Sequence, residues 1–154
     1  MPGASQAPQA SVARLNGVNN PQLQQSLNLI ATDPEGQRLL AEAQRRGVSI
    51  SVDNTGDPNV LGSFNPRTNQ IIIGNPNNLK TIVHELVHSV TPEDGNSQTE
   101  EGLANVVGRR IEARLFGRQP ENPQVTFNNT LPNYTQLRPT NDILNSLNRL
   151  GITA

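Results

Sequence analysis

Gly62-Ser63-Phe64-Asn65-Pro66-Arg67-Thr68-Asn69-Gln70-Ile71-Ile72-Ile73-Gly74 and, after a short connection, Leu79-Lys80-Thr81-Ile82-Val83-His84-Glu85-Leu86-Val87-His88-Ser89-Val90 are the stretch on which the fold turns. The first part is two short extended segments around a Pro and Asn turn, a pattern that predicts a β-hairpin. The second has helical period: at about 100° per residue, Leu79, Ile82, Val83, Leu86, Val87 and Val90 form one continuous apolar face. His84 and His88 fall together on roughly the opposite side. They stand outside their own helix's core stripe, so their side faces either solvent or a cleft closed by another element.

Upstream of the hairpin, Leu23, Leu27 and Ile30 carry helical spacing over Pro21 to Ile30, and Asp33-Pro34-Glu35 reads as an N-cap, a proline at the first helical position and a first-turn acid. That second helix runs to about Arg46, with Gly47 at its end. Val48-Ser49-Ile50-Ser51-Val52 alternates with period two as a half-buried strand does, and Asp53 to Pro58 is rich in turn residues. Residues 1–18, rich in Ala, Gln, Ser, Pro and Gly, read as a disordered leader. Downstream, a helix is expected from about Gln98 to Phe116. The Pro-, Asn- and Gln-rich run from Gly117 to Pro139 reads as a long irregular segment, often functional in a small domain. A last helix, capped by Thr140 or Asn141, runs through Leu150 to Gly151. No internal repeat is present. The expectation is one α+β domain over residues 19–154, with a short, mostly antiparallel sheet whose edge hairpin packs on the histidine-bearing helix and a second helix beyond it.

A chain of 154 residues suits a single modest core, and with aromatics at 3% that core must be aliphatic. A net charge of −1 with scattered basic residues lacks the positive stripe that nucleic acid requires. No apolar run is long enough to span a membrane, and the start at Met1-Pro2-Gly3 has neither a basic nor an apolar signal region. A soluble chain, cytoplasmic or secreted without a cleavable signal peptide, is expected. Nothing points to self-association, so a monomer is favoured. Lys80 is the single lysine, which fits avoidance of ubiquitination in a host cell or, more simply, an Arg-rich codon bias.

The chain has no cysteine, so any bound metal must take His, Asp or Glu ligands. Two histidines four residues apart on a helix project from one face, which suits imidazole nitrogens that must both reach a metal at about 2.0 Å. These are the only histidines in the chain, which argues against two ordinary surface residues on an amphipathic helix. With histidine exhausted, the third ligand is a carboxylate or, less readily, Tyr134. Glu93, Asp94, Glu100 and Glu101 are within reach. Ser97-x-x-Glu100 reads as a capping box, which occupies Glu100 at the helix start. Glu101 begins a stripe through Ala104, Asn105, Gly108, Ile111 and Glu112, whose small residues allow close approach of the motif helix. Glu101 is the assignment, with Glu100 and Asp94 as alternatives. Asn105 could orient a ligand, although an exposed helix Asn is the simpler reading.

The segment His84-Glu85-Leu86-Val87-His88 resembles the His-Glu-x-x-His helix of the zincin metallopeptidases. Glu101-Gly102-Leu103-Ala104 is similar to the Glu-Gly-x-Ala segment in which gluzincins carry their third ligand, and residues 62–73 look like the zincin edge hairpin that pairs with extended substrate. The connection from His88 to Glu101 is shorter than in large gluzincins, so the turn at Thr91-Pro92-Glu93-Asp94-Gly95 must be tight. The resemblance implies one zinc ion on His84, His88 and Glu101, hydrolysis of a protein or peptide substrate, and Glu85 as general base and acid. Tyr134, or less readily Arg138, would donate to the oxygen that gains negative charge. The small size, the lone lysine and the leader also resemble compact bacterial effector metallopeptidases. The alternatives are a zinc amidase and a non-catalytic zinc-stapled interaction domain with a fourth ligand from Asp94 or Tyr134.

Overall fold

The computed structural model describes residues 15–91, 97–130 and 141–152 of the chain. Within them the chain is α+β: α1 (Pro21–Ile30), α2 (Pro34–Arg45), β1 (Ser49–Val52), β2 (Gly62–Asn65), β3 (Gln70–Ile73), α3 (Leu79–Val90), α4 (Ser97–Leu115), α5 (Pro123–Thr130) and α6 (Asn141–Arg149).

The helices begin where side chains satisfy their first amides. Asn20 accepts from the Gln22 and Leu23 N–H groups at 2.8 and 3.1 Å, and Asp33 from those of Glu35 and Gly36 at 3.1 and 3.0 Å. Asn78 starts α3 by accepting from the Thr81 N–H at 3.1 Å. The same device produces a helix that composition concealed. Pro123–Thr130 lies inside the run expected to be irregular, yet Asn122 caps it by accepting from the Gln124 N–H at 2.8 Å, and Pro123 takes the first position.

The sheet is mixed, not mostly antiparallel: its order is β1-β3-β2, with β1 parallel and β2 antiparallel to β3. The expected hairpin is present, and its apolar strand Gln70-Ile71-Ile72-Ile73 takes the centre. The polar Gly62-Ser63-Phe64-Asn65 is left at the edge. The outer edge of β1 is covered. Asn16 bridges Ser49, its carbonyl accepting from the Ile50 N–H at 2.8 Å, and the Asn19 side chain bonds both backbone groups of Val52. Leu15 is buried beside them, so residues 15–18, assigned from composition to the leader, belong to the fold.

The largest fully buried side chains are all Leu or Ile, among them Leu23, Leu27, Leu39, Ile50, Ile71 and Leu86. Each contributes about 1.5–3 kcal/mol on leaving water. The whole predicted apolar face of α3 is in this core. Because Thr81, Glu85 and Ser89 are buried too, α3 is the central helix, with α4 along its remaining side.

Candidate metal centre

Helix α4 closes the cleft that His84 and His88 face. The approach depends on Gly108: a Cβ there would stand 2.9 Å from the Lys80 carbonyl oxygen and 3.7 Å from the His84 nitrogen. With Leu103, Ala104 and Val107 buried at the same seam, the start of α4 lies against the C-terminal half of α3.

The Nε2 atoms of His84 and His88 are 3.1 Å apart. Glu101 reaches both, its Oε2 at 3.1 Å from His84 Nε2 and its Oε1 at 2.6 Å from His88 Nε2. The other ring nitrogens point outward to acceptors. His84 Nδ1 donates to Asn105 Oδ1 at 2.7 Å, and His88 Nδ1 to Glu100 Oε1 at 2.7 Å. These acceptors call for a proton on each Nδ1, which leaves the two Nε2 atoms facing each other and the Glu101 carboxylate.

A single proton cannot satisfy that group, and a cation can. Metal bonds of about 2.0 Å in a tetrahedral arrangement set neighbouring donors about 3.3 Å apart, close to the spacings found here. One atom from each of His84, His88 and Glu101 lies within 4.8 Å of the others, a group that could hold a metal ion. The protein groups by themselves call for positive charge. Burial works to lower the His88 pKa, but its bonds to Glu100 and Glu101 outweigh this and push it up to about 10. The bonds from His84 and His88 hold the Glu101 carboxyl far below the usual carboxylate range.

Glu85 is buried beside this group, and burial raises its pKa against the opposing pull of the two histidines. Strand β2 passes directly over it: a Cβ on Gly62 would come within 3.2 Å of Glu85 Cγ and 2.9 Å of Thr81 Cγ2. A cavity of about 680 Å³ runs from His88, Glu85 and Glu101 along Gly62, Ser63 and Phe64 toward Pro66 and Arg46. A second, of about 350 Å³, shares Gly62, Glu85 and Glu101 with the first and opens on the far side, past His84 and Lys80.

His84, His88 and Glu101 therefore come together as expected, with Glu85 adjacent. Glu100 is not in the donor group. Beyond the helix-start place expected for it, its carboxylate holds His88, a tertiary contact that a local capping pattern does not reveal. Asn105 is half-buried and holds His84, which corrects its reading as an exposed helix residue. Tyr134, Arg138, Glu93 and Asp94 lie outside the described residues. No protein family, curated protein or solved structure matches the chain. Among the described residues, no helix is long and apolar enough to cross a membrane.

Proposed function

We propose that the chain is a zinc-dependent peptidase of the gluzincin type, hydrolysing a peptide bond in an extended segment of a protein or peptide. The observation that carries this reading is the convergence of His84 Nε2, His88 Nε2 and Glu101 beside a buried Glu85 at the head of a cleft. Two imidazoles and one carboxylate, with no thiolate, are a donor set that catalytic zinc takes. A zinc ion held there supplies Lewis acidity, lowering the pKa of a water toward neutrality and stabilising negative charge on a substrate carbonyl oxygen.

The chain's own residues supply the rest. Glu85 takes the proton from the water as its oxygen bonds the carbonyl carbon, and passes that proton to the amine nitrogen as the C–N bond breaks. Its raised pKa makes the ionised carboxylate a stronger base toward the water and brings it nearer the pH at which the transfer runs. Strand β2 orients the substrate. The Gly74 N–H donates to the Leu61 carbonyl at 3.0 Å, which sets the phase of the hairpin ladder. In that phase Gly62 and Phe64 turn their backbone N–H and C=O groups away from β3. An extended peptide can pair with that edge and lie across Glu85.

Glu85→Gln should bind metal as the parent does and lose about 10²–10⁴-fold in peptide turnover. Peptide cleavage followed by mass spectrometry, with metal content measured on the same samples, checks this. Turnover that survives in Glu85→Gln rules out the general-base role.

A further inference from the structure

The cavity beyond the metal centre holds a cation for which the proposed reaction has no use. Lys80 stands one turn before His84 and two before His88, so the three share a row on α3 facing α4. Its stem is seated against that helix, with Cγ 3.6 Å from where a Cβ on Gly108 would be. The side chain is only partly exposed. Among the described residues no carboxylate pairs with its ammonium group, although Glu101 lines the same cavity. The opposite wall is Val60 and Leu61, 39% and 53% exposed, so large aliphatic side chains stand open across the cavity from the lysine. The far end of the main cleft differs. There the Arg46 guanidinium is already bonded to Glu42 at 2.8 Å.

We propose that Lys80 is a specificity-determining residue, binding a carboxylate of the substrate in the cavity between Val60-Leu61 and α4, next to the bond that is cut. The placement rests on the peptidase reading, since Gly62, Glu85 and Glu101 wall both cavities and a peptide crossing Glu85 enters this one. An ammonium group facing a carboxylate forms a charge-assisted bond that an amide of the same shape does not match. The carboxylate comes from an Asp or Glu side chain or from a free C-terminus.

The test uses the zinc-loaded full chain and a set of peptides carrying Glu, Gln or Lys at each position around the cleavage point, each with a free and an amidated C-terminus. The parent should cleave one Glu peptide about tenfold faster, in kcat/KM, than its Gln counterpart. That ratio should fall to about one in Lys80→Gln and turn in favour of the Lys peptide in Lys80→Glu. Preference that follows the amidation identifies a C-terminal carboxylate, and preference that follows Glu identifies a side chain. Because Lys80 is the only lysine, its acetylation by an amine reagent can also be followed in zinc-loaded Glu85→Gln, without turnover. Glu peptides or free C-termini should protect it, and their amides should not. Cleavage with no acid preference, or an unchanged preference in Lys80→Glu, overturns the Lys80 assignment and leaves the peptidase reading standing. Acid-selective protection without cleavage of any peptide does the reverse. Absence of protection by every peptide also overturns the assignment.

Discussion

His84 and His88 are poised by two residues on the facing helix that bind no metal themselves. The Asn105 carbonyl and the Glu100 carboxylate each hold an Nδ1 proton and so aim an Nε2 atom at Glu101. Truncating either partner frees a ring to rotate. Asn105→Ala and Glu100→Ala should each weaken zinc binding by about 10–100-fold, while Glu100→Gln, which keeps an acceptor oxygen, should weaken it less. Competition against a chromophoric chelator reads the order directly, and equal affinities across the three variants would remove the orienting role. At this scale the donors could be read from sequence because His84 and His88 are one turn apart on a single helix and Glu101 sits in a Glu-Gly-x-Ala segment. Their supports could not. Asn105 is 21 residues from His84 and Glu100 is 12 from His88, and only the packing of α3 on α4 pairs them.

Helix α4 is fixed at its far end as well, by a charged cluster against the start of α2. Arg114 bonds both oxygens of Asp33 at 2.7 and 2.9 Å and reaches Glu35 at 2.6 Å, while Arg110 bonds Glu35 at 2.9 and 3.0 Å. Burial alone would raise the Asp33 pKa, but the bonds from Arg114 and from the Gly36 and Glu35 amides outweigh it and hold the carboxyl below its ordinary 3.8. A depressed pKa stabilises the fold fully above the ordinary value, and the contribution is lost as pH falls through the lower folded value. Asn caps a helix about as well as Asp, so Asp33→Asn isolates the ion pair. It should destabilise the protein by about 2 kcal/mol at pH 7, less than the 3–5 kcal/mol of a fully buried pair because Arg114 is about a third exposed. It should also flatten the loss of stability below pH 4 in urea titrations at a series of pH values. An unchanged acid limb would show that the cluster does not couple folding to pH. The start of α2 was legible for the reason that makes it stable, Asp33 followed by Pro34. The corresponding pair at Asn122-Pro123 was hidden by its Pro- and Asn-rich surroundings. Strand pairing was less accessible, since the parallel placement of β1 beside β3 depends on contacts between segments about twenty residues apart.

For the whole molecule, the cluster of His84, His88 and Glu101 joins the central helix α3, which carries much of the aliphatic core, to α4, which the charged cluster ties to α2. A ligand held by the folded chain alone stabilises it by mass action, by about 2.7 kcal/mol at one hundred times its Kd. The zinc assignment thus concerns the stability of the molecule as well as its chemistry. The cleft beside the histidines, the open edge of β2 and the cation at Lys80 acquire their proposed roles only if a metal sits between His84, His88 and Glu101. The most direct test is the metal content of the purified full chain by mass spectrometry after dialysis, measured on the parent and on Glu101→Ala. The expected result is one zinc ion per parent chain and loss of that ion from Glu101→Ala. A parent chain that retains no metal when zinc is supplied, or a Glu101→Ala chain that holds zinc as tightly as the parent, would contradict the zinc assignment.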